Sequence, residues 1–410
     1  MTHPGQYRIC SFGTGSRASA FALALAFAFA LAARTPAQGQ TFRILHAFSG
    51  TEGEAPNAGL TLGGDGTFYG TASEGGLYGN GTVFELTERS SGWILLPIYS
   101  FKNDYDGANP LSPVTFGPDG SLYGTTIGYY DGQGTLFNLK PLATPPPSPL
   151  TPWQFTLLHT FTGVNGDGDQ PLYGPLMFDR AGNIYGTTQF GGGSNDFGTV
   201  WEASPNGSGW TESVLARFTL PSNGPYSNVV MDNAGNLYGT TGTGSAIFKL
   251  SRNGSGWTST ILHTFTGRDG SLAYGGLVKD QAGNLYGGTA DGGTNGCGVV
   301  YELSPSGSGW TFHVLYDFAC PGEGIVGELT LDAAGNLYGV RYSGGADGNG
   351  MLFKMTPSNG SWTFTDLADF TNAAGRFAFG SVIFDARGNI YGTTESGGLY
   401  GYGTVWEFTP

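Results

Sequence analysis

Beyond residue 40 the chain is a succession of short apolar runs broken by glycine-rich turns. Residues 275–318 (GGLVKDQAGNLYGGTADGGTNGCGVVYELSPSGSGWTFHVLYDF) show the pattern most clearly, with runs at 276–278, 284–288, 299–303 and 310–318. Apolar segments this short, bounded by Gly, Asn, Asp and Ser, read as β-strands. Asp280-Gln281-Ala282-Gly283 reads as the turn between the first two, where Gly283 can take the left-handed conformation that closes a hairpin. A second hairpin is expected at Ser306-Gly307, between the third and fourth runs. The even spacing of eight residues from Trp310 to Phe318 predicts both rings on one face of the fourth strand.

The unit recurs. Gly, then Asn, Thr or Ser, then an apolar residue, then Tyr-Gly occurs with its Tyr at 69, 123, 185, 238, 286, 338 and 391, at spacings of 54, 62, 53, 48, 52 and 53. The Trp/Phe pair recurs as Trp93/Phe101, Trp153/Phe161, Trp210/Phe218, Trp257/Phe265 and Trp362/Phe370. Four-stranded units of about 50 residues, repeated seven times, match the signature of a β-propeller. The seventh unit supplies only three runs, 382–385, 389–393 and 404–408, and its missing fourth run is found at 42–48. There FRILHAF ends like LLHTF at 157–161 and ILHTF at 261–265. The expected fold is therefore all-β: a seven-bladed β-propeller of four-stranded blades, closed by one N-terminal strand joining three C-terminal strands, so that no long edge is left unpaired. An open β-solenoid is the alternative, and it would need atypical capping repeats.

Residues 1–37 differ from the rest: Arg8 and Arg17 precede an apolar run from Ala20 to Ala33, followed by Arg34. That is a secretory signal layout. Its 14 apolar residues fall short of the ~20 a spanning helix needs, so an uncleaved anchor is the lesser alternative. Cleavage is expected after Ala37, with Ala30-Leu31-Ala32 as a second small-residue site, leaving residues 38–410 as a single propeller domain with a Pro-rich loop insertion at 141–153. Loss of residues 1–37 takes away three Arg and no acid, deepening the formal charge from −14 to −17. So acidic a chain is a poor partner for nucleic acid, whose binding rests on Lys and Arg, and no membrane span is expected after cleavage.

The motif G-N-I-Y-G-T-T, a Gly-Gly loop and G-T-V-W-E-F at 388–408 resemble the GloVer tandem repeats of bacterial exported proteins, and the likeness covers residues 42–410. The resemblance implies secretion or a periplasmic or cell-surface location. It implies no catalytic residues.

Candidate chemistry is sparse. His46, His159 and His263 share one repeat position that Tyr99, Ala216, Tyr316 and Ala368 fill elsewhere, which marks a structural role. Asn206-Gly207-Ser208, Asn253-Gly254-Ser255 and Asn359-Gly360-Ser361 match a glycosylation acceptor, but Asn-Gly is also what a hairpin turn prefers. Asn165, Asp167 and Asp169 alternate with glycines like the start of a calcium loop, and the only cofactor the sequence offers is calcium there; Leu176 stands where an EF-hand needs a bidentate Glu. Cys297 and Cys320 flank the third and fourth runs of one unit, so antiparallel pairing predicts a disulfide in an oxidising compartment.

In a propeller of this strand order the second-to-third and fourth-to-first loops share one face. Here they carry 14 acids against three bases, with Tyr78, Tyr105, Tyr129, Tyr130, Tyr342, Tyr400 and Tyr402 beside them. The reading is a binding or scaffold protein, with a carbohydrate or a cationic extracellular partner expected near Tyr129, Tyr130, Tyr400 and Tyr402. The alternative is an extracellular hydrolase or lyase using face carboxylates.

Overall fold

Each repeat folds into a four-stranded antiparallel sheet. The computed structural model describes residues 39–128, 133–142, 153–193, 197–219, 224–242 and 245–410, and among them there are seven such sheets and one two-stranded ladder. Blade 1 comprises Thr61–Leu62, Phe68–Ala72, Thr82–Arg89 and Gly92–Ser100; blade 2, Thr115–Phe116, Leu122–Thr126, Gly134–Pro141 and Trp153–Phe161. Blade 3 comprises Met177–Phe178, Ile184–Thr188, Thr199–Asn206 and Gly209–Arg217; blade 4, Val230–Met231, Leu237–Thr241, Ala246–Asn253 and Gly256–Thr264. Blade 5 comprises Val278–Lys279, Leu285–Gly288, Val299–Ser306 and Gly309–Asp317; blade 6, Thr330–Leu331, Leu337–Arg341, Met351–Ser358 and Ser361–Asp369.

Blade 7 closes the ring. Its order is Thr41–Ala47, Thr404–Thr409, Ile390–Thr394, Ile383–Phe384, so the N-terminal strand lies beside the last strand of the chain as the split repeat requires. The Phe48 amide donates to the Gly403 carbonyl (3.0 Å), and Phe42 stacks on Trp406 with centroids 5.5 Å apart. Second-strand threonines tie each of four blades to the next: Thr71 to Ser112 O, Thr187 to Ser227 O, Thr240 to Gly275 O and Thr393 to Ala58 O, at 2.7–3.0 Å. The last of these joins blade 7 to blade 1. The chain is a seven-bladed β-propeller, and Phe42–Thr409 form one compact unit.

One expectation needs correcting. Blades 1–6 each carry a β-bulge in the fourth strand; in blade 5, Val300 faces Tyr316 while Tyr301 faces Val314, leaving Leu315 as the extra residue. The extra residue inverts the alternation. Trp310 therefore packs toward blade 4, against Tyr238 (5.7 Å), and Phe318 toward blade 6, against Phe353 (5.6 Å). The Trp and the Phe serve opposite faces of the blade, and six of the seven interblade cores receive one of each; between blades 6 and 7 Phe42 packs with Phe370 instead.

The motif of the first turn is equally specific. In blade 4, Asp232 Oδ1 accepts the amides of Ala234 and Asn236, and Oδ2 accepts Asn236 Nδ2 and the Tyr238 hydroxyl, at 2.7–3.0 Å. Asp179, Asp280, Asp332 and Asp385 hold equivalent turns. In blades 3 and 7 the Tyr hydroxyl also donates to a third-strand Glu: Tyr185 to Glu202 (2.9 Å) and Tyr391 to Glu407 (3.0 Å). The Asp, Asn and Tyr of the repeat are thus bound to one another on the side of the ring we call the turn face.

Candidate functional site

The opposite side, the loop face, is built from the second-to-third and fourth-to-first loops, which are joined by short bridges such as Glu54 with Glu74 and Arg376 with Ser396. Blades 7 and 1 carry the same loop, Gly-Gly-Leu-Tyr-Gly, at 397–401 and 75–79. Its glycines adopt positive φ, so the loop turns sharply and pushes its central pair outward. Leu77 and Leu399 are 75% and 77% exposed, and Tyr78, Tyr400 and Tyr402 are exposed beside them. Blades 5 and 6 place Thr294-Asn295 and Ala346-Asp347 at those positions, so the Leu-Tyr pair is confined to two adjacent blades. Two exposed Leu and three exposed Tyr side chains thus stand on the loop face of neighbouring blades, and exposed apolar surface of this kind marks interaction sites. Lys102 Nζ lies 5.8 Å from the Tyr78 ring centre.

The same face carries carboxylates. Burial raises the pKa of Glu395, whose carboxylate accepts the Tyr342 hydroxyl (3.2 Å), and burial with the nearby charge of Glu74 raises that of Glu54. Other acids of this face serve the fold. His46 Nε2 sits 3.0 Å from Glu52, His159 Nε2 3.3 Å from Asp167, and His263 Nε2 3.1 Å from Asp269. Each of these acids also caps a loop amide, from Ser49, Thr162 and Thr266 respectively. Burial opposes the ionisation of Glu52, but hydrogen bonds from Ser49, Thr51 and His46 prevail and hold it at about 2. In blade 1 Tyr99 takes the His position and donates to Asp106 (2.7 Å). Sequence reading took this His position as structural and did not see that each His faces an acid of the following loop.

Of the residues two before each first strand, Gly59, Pro113, Pro175, Glu328 and Ser381 line a space at the axis, while blades 4 and 5 have Asn228 and Gly276 at that position. The space they leave is about 20 Å³, room for about one water. Glu328 carries the one charge among them. The hydroxyl of Ser227 in blade 4 donates to Glu328 Oε1 in blade 6 (3.0 Å), and burial pushes the Glu328 carboxyl up to about 7. Toward the loop face the axis is covered by aromatic pairs, Tyr173 with Phe379 (4.3 Å) and Tyr226 with Tyr274 (4.6 Å). Sequence reading did not single out Glu328, although aligning the repeats on the first strand puts it alone among Gly, Pro, Asn and Ser.

On the turn face, blades 7 and 1 border a cleft of about 320 Å³ lined by Trp93, Tyr391, Arg43, Arg387, Glu88 and Glu407. Arg43 donates to Glu407 across the closing seam. The volume falls within the range of small-ligand pockets.

Of the residues singled out from the sequence, Tyr400 and Tyr402 lie on the loop face, whereas Tyr129 and Tyr130 lie outside the described residues. Cys297 and Cys320 are joined in a disulfide with Cα atoms 5.5 Å apart. Asn165 occupies a left-handed turn position, and Asp169 belongs to a two-residue strand paired with Phe190. Asp167 gives its oxygens to His159 and to the amide and hydroxyl of Thr162, a different set of neighbours from the one the Asn165–Asp167–Asp169 alternation suggests.

The family model of the Gloeobacter/Verrucomicrobia repeat matches residues 30–145, 98–246 and 242–410. The chain belongs to this family. In this Gloeobacter/Verrucomicrobia repeat chain the loop-face residues vary against a turn motif shared by five blades. No curated protein matches it. Among solved structures it is similar to a putative 6-phosphogluconolactonase from Bacteroides uniformis, at 14% identity over 82% of this chain and 88% of that one, with a TM-score of 0.49. It is also similar to the periplasmic gluconolactonase of Pseudomonas aeruginosa, at 13% identity over 79% and 86%, with a TM-score of 0.48. Both likenesses are too distant to carry an argument about activity.

Proposed function

We propose that this propeller repeat protein is exported and acts as a binding or scaffold module, recognising carbohydrate through the loop face of blades 7 and 1. The observation that carries the reading is the doubled Leu-Tyr projection, Leu77-Tyr78 and Leu399-Tyr400, with Tyr402, on a face that also carries Glu54, Glu74 and Glu395. Tyr rings offer flat apolar area with a hydroxyl at the edge. Sugars present C–H faces that stack on such rings and hydroxyls that donate to carboxylates. The axial space admits about one water, so it supports a structural rather than a substrate-holding role. The signal layout of residues 1–37 and the disulfide between Cys297 and Cys320 both suit export.

A second reading is favoured by the seam cleft, whose Trp93 and Tyr391 rings, with Arg387, Glu88 and Asp385 beside them, suit a small polyhydroxylated sugar. A glycan array probed with the 38–410 protein separates the two. The expected result is a set of bound glycans that disappears in the Tyr78→Ala/Tyr400→Ala/Tyr402→Ala variant. Unchanged binding by that variant rejects the loop-face location.

A further inference from the structure

At four of the junctions the His or Tyr near the end of one fourth strand faces the residue two after the Trp in the next blade. In three junctions that residue is Phe, and the rings stack: Tyr99 on Phe155 (4.7 Å), His263 on Phe312 (3.9 Å) and Tyr316 on Phe364 (4.1 Å). At the junction of blades 2 and 3 the ring is His159 and the facing residue is Glu212. His159, Asp167 and Glu212 bring one ligand atom each to within 4.8 Å of one another. Glu212 Oε1 is buried and accepts no hydrogen bond. A buried carboxylate oxygen without a donor is costly, and the repeat offers Phe as a ready replacement.

We propose that His159 Nε2, one oxygen of Asp167 and one of Glu212 bind a divalent transition-metal ion of the zinc type. Imidazole with carboxylates suits such an ion better than calcium, which takes six to eight oxygens. Zinc bonds of about 2.0–2.1 Å at tetrahedral angles set ligand atoms about 3.3 Å apart, and Nε2 of His159 already lies 3.3 Å from Asp167 Oδ1. Glu212 closes the remaining gap by a change of rotamer. Three protein ligands leave a fourth position for water or a ligand group. Burial pushes the Glu212 carboxyl up to about 7; the charge of Asp167 adds to this, while His159 and Arg217 oppose it, and a dication would compensate both acids. The site sits under the fourth-to-first loop that holds Val164 and Asn165, so a bound ion would also pin that loop.

The test is calorimetric titration of the chelator-stripped 38–410 protein with Zn²⁺, alongside Glu212→Gln and Glu212→Phe, the second restoring the ring pair of the other junctions. The expected result is one Zn²⁺ per chain, weakened at least roughly 100-fold in both variants, a loss at or above the upper end for perturbing a metal site's outer shell. His263→Ala, at the junction where Phe312 stands, should leave the binding unchanged. Cobalt substitution should give tetrahedral visible bands in the wild type that vanish in Glu212→Phe. No Zn²⁺ uptake by the folded wild type, or equal uptake by wild type and Glu212→Phe, overturns the proposal.

Discussion

The two faces of the ring are made from the same seven repeats and have opposite characters. On the turn face the repeat is used up by its own bonds: Asp232 alone accepts four donors, and Asp179, Asp280, Asp332 and Asp385 hold turns of the same design. On the loop face the same backbone carries Leu-Tyr in two blades, Thr-Asn in another and Ala-Asp in another. What the contrast teaches is that repetition here records packing constraint, whereas departures from it mark residues that the fold does not need. Glu212 and Glu328 are departures of the same kind inside the ring.

The harshest test of the constrained part is removal of residues 39–48. Phe48 is fully buried and Phe42 stacks on Trp406, so the truncation opens a core and exposes a strand edge. The expected loss is about 5 kcal/mol or more, measured by urea denaturation, or failure to fold. A truncated chain of wild-type stability would mean that the ring does not depend on its seam.

Next in size is Asp232→Ala, expected to cost about 2–4 kcal/mol by the same measurement, since four donors lose a charged acceptor. The same acids fix the acid limb. Burial opposes the ionisation of Asp232 and Asp332, but amide, Asn and Tyr donors prevail and lower both pKa values. A lowered folded pKa gives stability that is present above the unfolded value and lost as pH falls. Thermal stability should therefore drop as pH decreases below about 4.

Glu328 has the opposite sign. Its folded carboxyl, pushed up to about 7 by burial, disfavours the charged form, so stability is lost as pH rises from the unfolded value toward 7. Glu328→Gln should be more stable than wild type at pH 8 by about 3 kcal/mol, with little difference at pH 4. Equal stabilities at pH 8 would show that the axial carboxyl is solvated. The smallest effect on stability is expected on the loop face, where Tyr78→Ala and Tyr400→Ala should each shift unfolding by no more than about 0.5 kcal/mol.

Much of the fold was legible because its signals are local. Seven Tyr-Gly turns count the blades, the orphan run at 42–48 locates the seam, and Cys297 and Cys320 are placed by one hairpin. The bulge was not legible, since an extra residue in an irregular strand leaves no mark in a count of eight between Trp310 and Phe318. The site residues were harder still. Tyr400 and Tyr402 could be placed on a face from strand order alone, but Glu212 opposes His159 only through the register between two blades. Glu328 meets Ser227 only across the axis, from blades that are not neighbours. Charge counting also overstated the loop face, because Glu52, Asp106, Asp167 and Asp269 bond to neighbouring side chains and loop amides.

The central claim, that recognition lies where the repeat is free to vary, is tested most directly by one affinity comparison. The best glycan from the array is titrated calorimetrically into the wild type, into the Tyr78→Ala/Tyr400→Ala/Tyr402→Ala variant of the loop face, and into Arg387→Glu in the seam cleft of the turn face. The account predicts a loss of at least roughly 100-fold in the loop-face variant, as stacking contributes about 1 kcal/mol per ring, and an unchanged affinity in Arg387→Glu. The reverse result, with binding lost in Arg387→Glu and kept in the Tyr variant, contradicts it.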